Sequence, residues 1–225
     1  IEDVNYHNLS FDERLYQLLD AQDIFLKDKR VSMNLKLSKI KNKQALLEEI
    51  DYDPKRKLNK TQIRSLCSMD FIRKYQNVIL NGKTGSGKTF LAEALGIRAI
   101  HEGFTVYYIR TSTLLEEIRL SRIDGNYTNL IKRFARYKLL ILDDFGVSAI
   151  TPDDATNLFE IIEARNQLSS TIITSQLPVK DWYGYLQNNT IADAILDRIV
   201  NSSHRIFLDG DSLRPKYGNI SKDYE

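Results

Sequence analysis

The chain has 225 residues, 42% of them hydrophobic and 28% charged, enough for one sizeable core plus a small appendage. A single cysteine, Cys67, excludes an intramolecular disulfide framework and suits a reducing, cytoplasmic setting. No apolar run reaches the roughly 18 to 20 residues that span a bilayer, and no secretory signal is visible.

The net charge of +2 hides a division along the chain. Residues 1–26 carry one basic and six acidic side chains, whereas residues 27–76 carry fourteen basic and six acidic ones, a local excess of +8. The remainder is nearly neutral, at −1.

In chain order, Phe11, Leu15, Leu18, Leu19, Ile24, Phe25 and Leu26 recur at helical spacing behind Ser10, a candidate N-cap, and predict one or two short helices. Pro54 and a cluster of lysines then mark a linker into a short helix over Lys60 to Met69. From Asn77 the texture changes. Five short apolar runs, NVIL, FTVYYI, KLLIL, STIITS and HRIFL, alternate with helix-length amphipathic stretches. That alternation predicts an α/β fold with a five-stranded parallel sheet covered on both faces. The expected division is a helical, basic unit over residues 1–70 and a sheet-based core over 71–225.

The stretch GKTGSGKT, Gly82 to Thr89, satisfies the pattern G-x-x-x-x-G-K-[ST], with a strand entering and a helix leaving. Gly82, Lys83, Thr84, Gly85, Ser86 and Gly87 would curl so that successive N–H groups face one phosphate, at a helix N-terminus whose dipole favours anions. Lys88 would reach the β- and γ-phosphates, Thr89 would ligate Mg²⁺, and Phe90 follows on the helix. This is the signature of a loop that holds a nucleoside triphosphate with Mg²⁺.

A second half is expected in KLLILDDFG. A buried run there ends in Asp143, expected to hold Mg²⁺, and Asp144, expected to orient the attacking water. Many ATPases place glutamate second, so the shorter Asp144 predicts slow hydrolysis. The strand TIITSQ delivers Gln176, either as a reader of the γ-phosphate or as ordinary turn chemistry. In ILDRIV, Arg198 is either a structural arginine or an arginine finger serving a neighbouring subunit.

Taken in order, GKTGSGKT, LLILDDFG, TIITSQLP, AILDRIV and GDSLR resemble the IstB-type ATPases of bacterial insertion sequences, a clade of AAA+ proteins related to DnaC-type helicase loaders. The resemblance spans nearly the whole chain. It implies a P-loop AAA+ three-layer sandwich, preceded by the small helical N-terminal unit. It also implies an ATPase that oligomerises on double-stranded DNA and works with a partner transposase; a helicase loader is the alternative. Carried over, Arg198 takes the finger position in trans, Gln176 the sensor position, and Arg214 a second-sensor position on a rudimentary lid.

Such a protein needs cations facing phosphates. The candidates are Lys27, Lys29, Arg30, Lys39, Lys41, Lys43, Lys55, Arg56 and Lys57. A solvated basic surface is the competing reading of each. No zinc-finger spacing or recognition helix stands out, so readout directed at the DNA backbone is expected.

Overall fold

The structure, a computed structural model, describes residues 9–213. A single helix, α1 (Phe11–Leu37), replaces the one or two short helices expected. Ser10 and Glu13 close it with a reciprocal capping box. Neither proline nor glycine interrupts its 27 residues, so nothing in the sequence breaks it. None of its residues is fully buried; only the final turns dock, through Val31 and Leu35.

Two 3₁₀ turns, Leu47–Glu49 and Pro54–Arg56, lead into α2 (Lys60–Cys67) and α3 (Asp70–Arg73). There follow β1 (Asn77–Gly82), α4 (Lys88–His101), β2 (Val106–Arg110), α5 (Thr111–Ile123), α6 (Tyr127–Arg136) and β3 (Leu139–Phe145). The last described elements are α7 (Pro152–Arg165), β4 (Ser170–Ser175), α8 (Trp182–Tyr185), α9 (Asn189–Val200) and β5 (Ser203–Leu208). All five expected strands form, in one sheet of order β2-β3-β4-β1-β5 with every pairing parallel.

The central strands β1, β3 and β4 are buried on both faces because successive side chains alternate and the middle of each strand is a continuous apolar run. Val78, Leu80, Leu139, Ile141 and Ile172 point into one core with α4. Ile79, Leu140, Leu142 and Ile173 point into the other, with α5, α6, α7 and α9. The first core also takes in Ile40, Ala45, Ile63, Leu66, Phe71 and Ile72, so the stretch before β1 packs directly on the α4 face.

Arg165, 2% exposed at the end of α7, knits the far edge together. It donates to the carbonyls of Phe134, Tyr137 and Ser170, at 2.5, 2.9 and 2.5 Å. Among the described residues no helix is long and apolar enough to cross a membrane.

Candidate nucleotide site

Parallel strands deliver their C-terminal ends to one edge, where open α/β sheets bind ligands. The loop after β1, the acid pair ending β3 and Gln176 after β4 all arrive there. Thr84, Gly85, Gly87, Lys88, Thr89, Phe90, Asp144 and Gln176 line one cavity of about 730 Å³.

The loop's shape follows from two glycines. Gly85 and Gly87 hold φ of 80° and 91°, which L side chains rarely adopt, and a Cβ on Gly85 would collide with Ser212. Gly87 is the N-cap of α4, so the helix starts at Lys88 with its free N–H groups turned toward the loop. Lys88 Nζ donates to the Gly82 and Lys83 carbonyls, at 2.7 and 2.8 Å, bridging the loop.

Asp143, 2% exposed, is satisfied by hydroxyls. Thr89 Oγ1 and Thr174 Oγ1 donate to its Oδ1 at 3.0 and 2.5 Å, and Tyr108 Oη donates to its Oδ2 at 2.6 Å. Thr111 Oγ1 donates to its backbone carbonyl at 3.0 Å. Burial, and then the bond to Asp143, push the Tyr108 hydroxyl far above the usual phenol range, so it remains a donor.

The β3–β4 register shifts between Leu142 and Phe145, and Asp144 takes φ of 58°. That irregularity turns Asp144 out of the ladder and into the cavity, where Arg110 Nε lies 3.6 Å from its Oδ2. Aspartate tolerates this left-handed backbone better than most residues. Gln176 is tied to the loop, its Oε1 accepting from Thr84 Oγ1 at 2.6 Å.

The Thr89 hydroxyl and the Asp143 carboxylate, paired beside the loop, are hard oxygen donors of the kind Mg²⁺ takes alongside phosphates. Among the described residues no group of three or more His, Cys, Asp or Glu side chains could hold a metal. The donor set therefore fits an ion that relies on substrate oxygens and water for its remaining ligands.

Residues 2–220 match the model of the family described as IstB-like ATP binding protein. The chain belongs to that family. It is 39% identical over 206 residues to an insertion sequence ATP-binding protein, y4pL, of Sinorhizobium fredii, covering 92% of this chain and 84% of that one. It is 42% identical over 172 residues to the IS1162 ATP-binding protein of Pseudomonas fluorescens, covering 76% and 74%. Among solved structures it resembles AMPPCP-bound DnaA from Aquifex aeolicus, with a TM-score of 0.64 at 17% identity over 83% of this chain and 58% of that one. It also resembles the DnaC helicase loader, with a TM-score of 0.59 at 22% identity over 73% and 97%. Those two likenesses establish the P-loop AAA+ fold. The IstB-like chain binds ATP.

The remaining sequence-derived candidates fall elsewhere. Arg198, on α9, pairs with Glu163 of α7, donates to the Ala194 carbonyl at 3.1 Å and sits over the Phe159 ring. Its own carbonyl accepts from Asn77 at the start of β1, so it lies at the opposite edge of the sheet from the loop ending that strand. Lys27, Lys29, Arg30, Lys39, Lys41, Lys43, Lys55 and Lys57 are exposed. Arg56 departs from expectation. It is 6% exposed and lines the nucleotide cavity, because the 3₁₀ turn that directs Lys55 and Lys57 to solvent turns Arg56 inward. Arg214 lies outside the described residues.

Sequence reasoning missed Tyr108 and Arg110, which reach the acid pair only because β2 lies beside β3. Their signal was two polar-tipped residues closing an apolar run, indistinguishable there from an exposed strand end. It also missed the apolar part of the cavity lining, which includes Ile50, Leu58, Leu208 and Leu213.

Proposed function

We propose that this IstB-like protein is a Mg²⁺-dependent ATPase that assembles as a homo-oligomer on double-stranded DNA and assists a partner transposase. The observation that carries the reading is the junction of Thr89 with Asp143, beside Asp144 and Gln176, at the rim of one cavity. It is a P-loop facing an acid-tipped strand, and both halves are needed for hydrolysis as distinct from binding.

Lys88 leaves the loop carbonyls for the β- and γ-phosphates. Thr89 and Asp143 hold Mg²⁺, which supplies charge neutralisation at the phosphates. Asp144 orients the attacking water, and Gln176, already joined to the loop through Thr84, reads the γ-phosphate. Arg198 has no route to its own chain's loop, since β1 alone spans about 20 Å at strand rise. That separation supports a finger acting on a neighbouring subunit, which makes hydrolysis depend on assembly.

The insertion-sequence descriptions of the relatives support the transposase partner. The exposed cations of α1 and of residues 39–57, within the proposed N-terminal unit 1–70, support DNA contact directed at phosphates. The test is ATP hydrolysis with and without Mg²⁺ and duplex DNA, alongside capture of the transposase from the same insertion sequence. Hydrolysis that needs Mg²⁺ and rises on DNA is expected. Saturable ATP binding without turnover under any of these conditions would reduce the protein to a nucleotide-gated assembly factor, and capture of a replicative helicase in place of the transposase would make it a loader.

A further inference from the structure

Both cations inside the nucleotide cavity rest on carbonyls of the same loop. Lys88 donates to Gly82 and Lys83, and Arg56 Nη2 donates to the Ser86 carbonyl. Arg56 comes from outside the P-loop motif, 30 residues upstream of Ser86. Its backbone is clamped on both sides. Its N–H donates to Asp53 O at 2.9 Å, its carbonyl accepts from Asp209 N at 3.2 Å, and Gly210 packs against its Cα and Cγ. The side chain runs across Gly87, whose missing Cβ would sit 3.3 Å from Nη2.

This guanidinium is only partly satisfied. Nε is buried and has no hydrogen-bond partner. Buried donors in native proteins are almost always paired, so this N–H is open to an incoming acceptor. A guanidinium, always charged and forked, is the group suited to a phosphate. Next to it the cavity is lined by the apolar Leu58 and Leu213 and by the acidic Glu49, Asp51 and Asp144, so Arg56 and Lys88 are the lining cations that would face an incoming phosphate.

We infer that Arg56 is a second phosphate-binding cation of the nucleotide site, supplied by the N-terminal segment, which shifts from the Ser86 carbonyl onto the bound nucleotide as Lys88 does. This rests on the reading of the loop as the ATP site and goes beyond it. Lys55 and Lys57 flank Arg56 on the same turn, and Lys57 is paired with Asp209 at 3.1 Å. Nucleotide occupancy thus bears directly on the turn that presents two of the DNA-facing lysines.

The test compares wild type, Arg56→Gln, Arg56→Lys and the double variant Lys55→Gln/Lys57→Gln. A fluorescent ATP analogue and a fluorescent duplex are each titrated over a range of salt. Arg56→Gln is expected to weaken ATP about tenfold, the worth of one charge-assisted bond, and to flatten the salt dependence of ATP binding. Arg56→Lys should recover part of both losses. The DNA salt slope should stay as in wild type for Arg56→Gln and fall by about one to two for the lysine double variant. A merely structural brace would lower ATP affinity without altering its salt slope, and that result overturns the proposal. So does a DNA slope that falls in Arg56→Gln.

For the case where substitution unfolds the protein, the Arg56 Nε–H resonance of ¹⁵N-arginine-labelled wild type is followed on adding ADP. A shift with slowed exchange is expected, and an unmoved signal at saturating ADP overturns the proposal. Failure of wild type itself to bind ATP would instead defeat the underlying site reading.

Discussion

Arg110, the last residue of β2, holds the carboxylate of Asp144, the second acid of β3, in an ion pair of 3.6 Å between Nε and Oδ2. Both side chains are partly exposed at the cavity rim, so the pair is weak and breakable. The guanidinium competes with water for the oxygen that would orient a nucleophile. Arg110→Gln should therefore raise ATP hydrolysis in the absence of DNA by about two- to fivefold, the range an exposed pair controls. A steady-state assay of the isolated protein checks this. A fall in turnover would show that Arg110 assists the chemistry.

Asp144 sits at φ of 58°, which bears on the choice of aspartate over glutamate. Asp144→Glu adds reach toward the water but places a longer side chain on left-handed backbone. Turnover should hold or rise while the thermal midpoint falls by a few degrees. A loss of turnover in folded protein would argue against a distance-limited Asp144.

Tyr108 gives Asp143 one of its three side-chain hydroxyl donors. Tyr108→Phe leaves a buried carboxylate oxygen short of a partner, a cost of about 1–3 kcal/mol. The looser Asp143 should show as a higher Mg²⁺ requirement, with about a tenfold loss of kcat at fixed Mg²⁺ that excess metal partly restores. Unchanged Mg²⁺ titration curves would mean that Thr89 and Thr174 suffice.

Glu93, 5% exposed on α4, accepts from the backbone N–H groups of Lys41 and Asn42 at 3.2 and 3.4 Å. Burial, outweighing those bonds, raises its carboxyl above the usual range. In the window between the ordinary value near 4.5 and the raised one, the folded state binds more protons than the unfolded state. Stability from this group is therefore highest below that window and falls as pH rises through it. Glu93→Gln keeps the acceptor and removes the charge. Urea unfolding from pH 4 to pH 8 should show the variant gaining on wild type toward neutral pH, and parallel curves would contradict the buried-charge account.

Arg198 is engaged by Glu163 within its own chain. If it serves a neighbour, Arg198→Ala should leave ATP affinity within about twofold and reduce turnover in DNA-bound assemblies by about 10³ or more. Equal turnover of wild type and variant in dilute monomer is also expected. Loss of ATP affinity in the monomer would point to a structural arginine.

The sequence alone determined the sheet, the loop and the acid pair, because each is a local pattern. β-strands buried on both faces carry a continuous apolar run, and a phosphate loop needs glycine at Gly85 and Gly87 and a lysine at Lys88 wherever it occurs. Tertiary structure decided what surrounds them. Tyr108 and Arg110 reach Asp143 and Asp144 through strand order, which no spacing along the chain encodes. Arg56 shows the same limit more sharply. It reads as one of three adjacent cations, Lys55 to Lys57, yet a single 3₁₀ turn sends the middle one under the loop and its neighbours to water. Charge is a property of the residue, but whether it faces solvent or the cavity depends on backbone direction and on neighbours brought from 30 and 152 residues away.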